Sequence, residues 1–130
     1  MIDNSPAQTL VSTNTLLASD LNIVPVKLDR KSLKGMIISL KNTLSITKRN
    51  KKNIDSRVLF TMVPARGKTE RELIPWFRSH LGNMIFKTVI PYQKKPAQDA
   101  SMLNKQVVNT NIGSAYRALG EEILKEYGGK

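Results

Sequence analysis

Met1-Ile2-Asp3-Asn4-Ser5-Pro6 opens the chain, and after a short mixed run comes Asp20-Leu21-Asn22-Ile23-Val24-Pro25-Val26. The first stretch reads as the end of a buried strand carrying a carboxylate, the run between as a turn and a helix, and the second stretch as another strand. Open α/β sheets bind ligands beyond the carboxyl ends of their parallel strands, so Asp3 stands where such a sheet places a phosphate or metal site. Whatever normally precedes such a carboxylate is expected to be missing.

Working outward, Leu10, Val11, Leu16 and Leu17 have mixed helical spacing after an Asn-Ser-Pro turn, which predicts a helix over 6–18. Leu21 to Val26 suits a buried parallel strand. From Arg30 to about Ile46, Leu33, Met36, Ile37, Leu40 and Leu44 recur at three- and four-residue steps and define one face of an amphipathic helix, with Lys34, Lys41 and Lys48 opposite. Ser56 to Val63 is a continuous apolar strand candidate ended by Pro64 and Gly67. Thr69 and Glu72 have the spacing of a capping box for a helix from Glu70 to Leu81, with Leu73, Ile74, Trp76 and Phe77 toward the core. Met84 to Ile90 is the next strand, ending in Pro91, and 92–111 reads as loop, with a short strand possible at Gln106-Val107-Val108. Ile112, Tyr116, Leu119, Ile123 and Tyr127 line one face of a last helix, on which Glu121 and Lys125 are spaced as an i,i+4 pair. Alternating strands and helices argue for an α/β fold, a mostly parallel sheet with flanking helices.

The 130 residues make up one domain-sized unit, and 40% hydrophobic with 24% charged residues is a globular composition. With no cysteine, disulfide frameworks and thiolate metal sites are excluded. No apolar run reaches the roughly 20 residues that span a bilayer, and a cytoplasmic location is expected. The net charge of +11, from 21 Lys and Arg against 10 Asp and Glu, attracts polyanions, nucleic acid foremost. His80, the one histidine, is expected to interact with the carboxyl end of its helix. No nucleophile, base and orienting group fall into a set, so hydrolase chemistry of the triad kind has no support.

Seven segments in order carry a resemblance. Ile2-Asp3-Asn4-Ser5-Pro6 resembles the I-D-x-P-P Walker B segment of ParA/Soj-type partition ATPases, in the MinD/ParA class of deviant P-loop proteins; Thr13-Asn14-Thr15-Leu16 and Ala18-Ser19-Asp20 through Val26 resemble its next helix and strand. Ser32-Leu33-Lys34-Gly35 is similar to the family's S-L-x-G, Thr61-Met62 with Arg66 and Thr69 to T-M-x-x-x-R-T, Val89-Ile90-Pro91 to a strand end in I-P-R, and Gly113-Ser114-Ala115-Tyr116-Arg117-Ala118-Leu119 to its terminal helix. The resemblance implies the carboxy-terminal half of a P-loop NTPase (Rossmann-like) domain, residues 1–130 forming a single partial domain. The family's K-G-G-x-G-K-[ST] loop is absent, Ser5 replaces a proline and Tyr92 an arginine. Without that loop's backbone cradle and lysine there is no phosphate site.

What the resemblance implies for the residues is specific. Asp3 would act in catalysis by holding Mg²⁺ through water, provided the phosphate loop is supplied; alternatively it is an exposed terminal residue capping the next helix. Thr61, Met62, Pro91 and Tyr92 would border the adenine of ATP, or else form plain strand-to-helix turns. Arg66, Lys68, Arg71, Lys94, Lys95 and Arg117 are candidates for non-specific contact with DNA phosphates, and the stripe from Lys34 to Lys52 is an equal claimant or a solvated surface. ATP and Mg²⁺ are the intact family's cofactors; the alternative for this chain alone is none. Expected partners are DNA, a ParB-type centromere-binding protein, and a second copy or a full-length ParA-type homologue, with no membrane. The expected role is a truncated or split partition protein unable to hydrolyse ATP alone; the alternatives are a non-enzymatic basic module docking on DNA or on a homologue, and a non-functional fragment.

Overall fold

The computed structural model describes residues 1–2, 10–64, 66–95 and 110–128. Asp3 and the fragment 106–108 lie outside the described residues. In chain order come α1 (Leu10–Leu17), β1 (Leu21–Val26), α2 (Arg30–Asn50), β2 (Asp55–Phe60), α3 (Lys68–Leu81), a 3₁₀ turn (Gly82–Met84) and α4 (Asn111–Tyr127).

β1 and β2 pair in parallel, in register from Leu21 opposite Asp55 to Val26 opposite Phe60. Period-two alternation sends these strands' side chains to two cores. Val24 and Val26 with Val58 and Phe60 pack against Leu33, Met36 and Leu40 of α2 and Ile74, Phe77 and Leu81 of α3. Leu21, Ile23 and Leu59 pack with Phe86 and Ile90 against Ile112, Leu119 and Ile123 of α4. The sheet is therefore covered on both faces, which is why its strands read as near-continuous apolar runs.

The strand expected over 84–90 takes another form. After the 3₁₀ turn the chain runs extended beside β2, with parallel bridges only at Val58 to Ile85 and Val63 to Pro91. Phe86 N–H donates to Val58 O (3.0 Å) and Ile90 N–H to Phe60 O (2.9 Å). Between them, Lys87 and Thr88 turn their N–H groups to the Glu122 carboxylate at 2.9 and 3.0 Å, so a side chain of α4 takes the donor that a continuous ladder would use. β2 likewise ends at Phe60 rather than Val63, because Met62 adopts a left-handed φ of 52° that breaks the pleat.

Other expectations shift by a turn of helix or a rotation. α2 runs to Asn50, four residues past the expected end, and closes on Lys51 in the left-handed conformation. Its N-cap is Asp29, whose carboxylate accepts Ser32 N–H (2.8 Å) and Ser32 Oγ–H (2.9 Å). These bonds, the backbone one first, hold the Asp29 carboxyl below its usual range. Its buried seam is Leu33, Met36, Leu40 and Thr43, whereas Ile37 and Leu44 are exposed. Thr43 sets this rotation from within the helix, its hydroxyl donating to Ser39 O at 3.0 Å beneath Asn22 of β1. α3 begins at Lys68 with Gly67 as N-cap, so Thr69 lies inside the first turn and does not form the expected capping box. Phe77 enters the core beside Phe60, but Trp76 is half exposed, edge-on to Phe77. On α4, Tyr116 is exposed, and Glu121 and Lys125 form no ion pair.

Candidate functional site

The carboxyl ends of the three extended segments stand in a row. Thr61 N–H donates to Val26 O (2.9 Å), Val63 N–H to Ile90 O (3.0 Å) and Tyr92 N–H to Val63 O (2.9 Å). Thr61-Met62-Val63 is thereby locked beside Ile90-Pro91-Tyr92, and four residues expected to border a base come together on one edge. Thr61 and Pro91 are half buried, while Met62 and Tyr92 are 44% and 45% exposed. A fixed backbone presenting a thioether and a phenol is a ledge on which a flat ring can lie. Met62 is the one non-glycine residue on this edge with φ in the left-handed region, a strain of the kind that marks functional turns.

The expected phosphate contacts are distributed differently. Arg66 and Lys68 are exposed and, with Gly67 and Glu72, line a shallow groove of about 530 Å³ at the start of α3. Lys94 and Lys95, which follow Tyr92 after one intervening residue, are exposed. Arg71 lies in the first turn of α3. Arg117 is exposed on α4, against the opposite face of the sheet from α3, so it does not join the others. Gly67-Lys68-Thr69 follows a strand and opens a helix, as a phosphate loop does, but Met62 occupies the place of that loop's first glycine. Val63 is tied into the ladder with Pro91, and its N–H is already donated to Ile90 O.

Among the described residues, no group of three or more His, Asp or Glu side chains is placed to hold a metal ion. His80 is exposed at the end of α3, where Nδ1 donates to Trp76 O (2.8 Å) and the ring stacks on the indole with centroids 4.1 Å apart. That is the helix-end role expected of it, with Trp76 as an unforeseen partner.

The most elaborate polar cluster lies at the opposite, amino edge. Arg57 of β2 is 4% exposed, ion-paired to Glu126 and, at 4.0 Å, to Glu122, with its guanidinium 4.1 Å from the Phe86 ring centroid. Asp55 beside it accepts a hydrogen bond from the Tyr127 hydroxyl. Partial burial first, and then that carboxylate, push the Tyr127 phenol up to about 12. An arginine inside an apolar strand, with two glutamates four residues apart on the last helix, was the available signal.

With the geometry in hand, similarity to known proteins decides the lineage. The chain is 25% identical to the chromosome partitioning protein ParA of Myxococcus xanthus over 96% of its own length. It is 31% identical to the sporulation initiation inhibitor protein Soj of Bacillus subtilis over 70% of its length. This chain is a relative of the ParA/Soj-type partition proteins. The chromosome-partitioning ATPase Soj of Thermus thermophilus is 26% identical over 95% of the chain. No protein-family model matches. The chain spans 46% of the Myxococcus protein's length, 36% of the Bacillus protein's and 51% of the Thermus protein's. The α/β architecture with a parallel sheet between helices is that expected of such a relative. No helix among the described residues is long and apolar enough to cross a membrane.

Proposed function

We propose that this chain acts as a partition protein of the ParA type, its residues 1–130 corresponding to the carboxy-terminal half of its relatives and forming a single partial domain. It contributes the base-side edge of a nucleotide site, binds DNA without sequence preference, and does not hydrolyse ATP by itself. The observation that carries this reading is the locking of Thr61 and Met62 against Pro91 and Tyr92 at the carboxyl edge of a parallel sheet, the position where open α/β sheets bind ligands. The residues present fit the ring of ATP and not its phosphates, because the glycine-rich loop is absent from the 130 residues and the Val63 N–H is spent on Ile90 O. Phosphate and Mg²⁺ contacts then come from a glycine-rich loop outside these 130 residues, with Asp3 as this stretch's own contribution to the metal. A ParB-type protein and a homodimer or a full-length homologue are the partners this implies, in a cytoplasmic, nucleoid-bound setting.

The test is to measure ATP turnover and binding to a mixed-sequence duplex on one preparation of the purified chain. The expected result is no turnover, with DNA binding that falls steeply between roughly 50 and 200 mM salt. Turnover by the chain alone, particularly if it survives Asp3→Ala, overturns the division of labour; absence of DNA binding at the lowest salt overturns the partition role.

Docking on a homologue is a second reading, favoured by the outer edge of β1. Among the described residues β1 pairs only with β2, and a groove of about 720 Å³ runs along it between α1 and α2. An unpaired edge of this kind accepts a further strand. Co-purification with a full-length ParA-type protein, abolished by a proline at Ile23, supports this reading; its absence removes it.

A further inference from the structure

The cations at the strand ends are few, and the greatest concentration of charge lies elsewhere. From Arg30 to Asn53, along α2 and the turn after it, the chain places eight of its 21 lysines and arginines and no acidic residue. Among the described residues none of the eight is in an ion pair. Arg30 and Lys31 stand in the first turn of the helix, where the Asp29 N-cap carboxylate is committed to Ser32 and pairs with neither of them.

These cations form a line. At 3.6 residues per turn, Arg30, Lys34, Lys41 and Lys48 fall within a sector of about 40°, and 18 rises of 1.5 Å carry the row about 27 Å along the helix. All four are exposed. The inward side of α2 is spent on the core through Leu33, Met36 and Leu40.

We infer that the row Arg30, Lys34, Lys41 and Lys48 on α2 is this chain's docking surface for the phosphate backbone of duplex DNA. The inference rests on the DNA-binding part of the reading above and moves the contact from the strand ends to α2. Charge complementarity selects the occupant. A row consisting mainly of lysines meets phosphates as point charges, whereas protein interfaces are depleted in lysine. An anionic lipid surface needs a broad apolar face to enter it; here only Ile37 and Leu44 on one flank and Ile38 on the other remain exposed, divided by the charged row. Cations without acceptor groups position a duplex and read little of its sequence, so the binding is non-specific.

The experiment uses the full 130-residue chain and a fluorescent mixed-sequence duplex, followed by anisotropy across a salt series. Replacing Lys34, Lys41 and Lys48 by Gln together is expected to make the slope of log affinity against log salt shallower by about 2.7, and to weaken binding near 0.1 M salt by roughly 10²- to 10³-fold. Lys41→Gln alone is expected to make the slope shallower by about 0.9, which keeps the test decisive if the triple variant folds poorly. A strand-end variant carrying Arg66→Gln, Lys68→Gln and Lys94→Gln is expected to stay within about one unit of the wild-type slope. An unchanged slope in the α2 variants with a loss in the strand-end variant overturns the inference and leaves the functional reading standing. No binding by the wild type overturns the functional reading, and the inference with it. Loss of binding to phosphatidylglycerol vesicles in the triple variant, with DNA binding intact, assigns the row to lipid and also overturns it.

Discussion

The two edges of the sheet are built on opposite principles. At the amino edge, Arg57 is buried against Phe86 and clasped by two glutamates, and Glu122 reaches on to the backbone N–H groups of Lys87 and Thr88. At the carboxyl edge, Met62 and Tyr92 lie half exposed on a backbone fixed by ladder bonds, and Arg66, Lys68, Lys94 and Lys95 extend into solvent. The first arrangement fastens the last helix to the sheet; the second leaves side chains free to meet something else. Buried charge needs partners to offset its desolvation, and Arg57 finds them in Glu122 and Glu126 although its Nε is left without a hydrogen bond. Groups kept for ligands stay under-committed, and positional precision comes from the backbone beneath them.

Breaking the amino edge should therefore produce the largest effect. Arg57→Ala leaves Glu122 buried without its cation and is expected to destabilise the chain by about 3–5 kcal/mol, read as a lower urea midpoint at constant m. Replacing the cluster together, Arg57→Met with Glu122→Gln and Glu126→Gln, should recover much of that loss, since apolar packing commonly matches a buried ion pair. A loss below about 1 kcal/mol in the single variant means that the cluster is solvated and the contrast between the edges is wrong.

At the carboxyl edge the effects are smaller and of opposite sign. Met62→Gly removes the left-handed penalty at φ 52° and is expected to stabilise by roughly 0.5–1 kcal/mol. A destabilisation would show that the Met62 side chain packs in the loop instead of standing free. Tyr92→Ala should shift stability by no more than about 0.5 kcal/mol while weakening any nucleotide held in a reconstituted complex. Thermal melts beside nucleotide titration separate the two effects.

The sequence makes the paired strands and the helices legible because each signal is local. Leu21 to Val26 and Val58 to Phe60 are apolar runs closed by turn formers, and the three- and four-residue apolar steps from Leu33 to Leu44 mark α2. The rotation of each helix is not local. Ile37 and Leu44 share a periodic sector with Met36, but which part of it faces the sheet depends on a strand met only in three dimensions. The interrupted third strand depends on Glu122, some 35 residues away, and Arg57 looks like an irregularity until its partners on α4 are in place. Of the candidate site, the strand ends were legible through the turn after Phe60 and through Pro91. The hydrogen bonds that bring Thr61 and Met62 beside Pro91 and Tyr92 were not.

The finest test of the contrast uses pH at the amino edge. The Tyr127 phenol, partly desolvated and hydrogen-bonded to Asp55, is pushed from 10.0 up to about 12 in the folded chain. The folded state thus holds this proton more tightly than the unfolded state, whose phenol titrates near 10. The stabilisation is fully present below pH 10, declines as the unfolded phenol ionises, and is lost as pH rises through 12. Tyr127→Phe removes both the proton and the bond. The difference in urea midpoint between wild type and variant should be positive and constant from about pH 7 to 9, then shrink toward pH 12. Lysines titrate in the same window, but they are common to both proteins and cancel in the difference. A difference that stays level across the window would mean that Asp55 does not hold the Tyr127 phenolic proton, and that the clasp at the amino edge ends at Arg57.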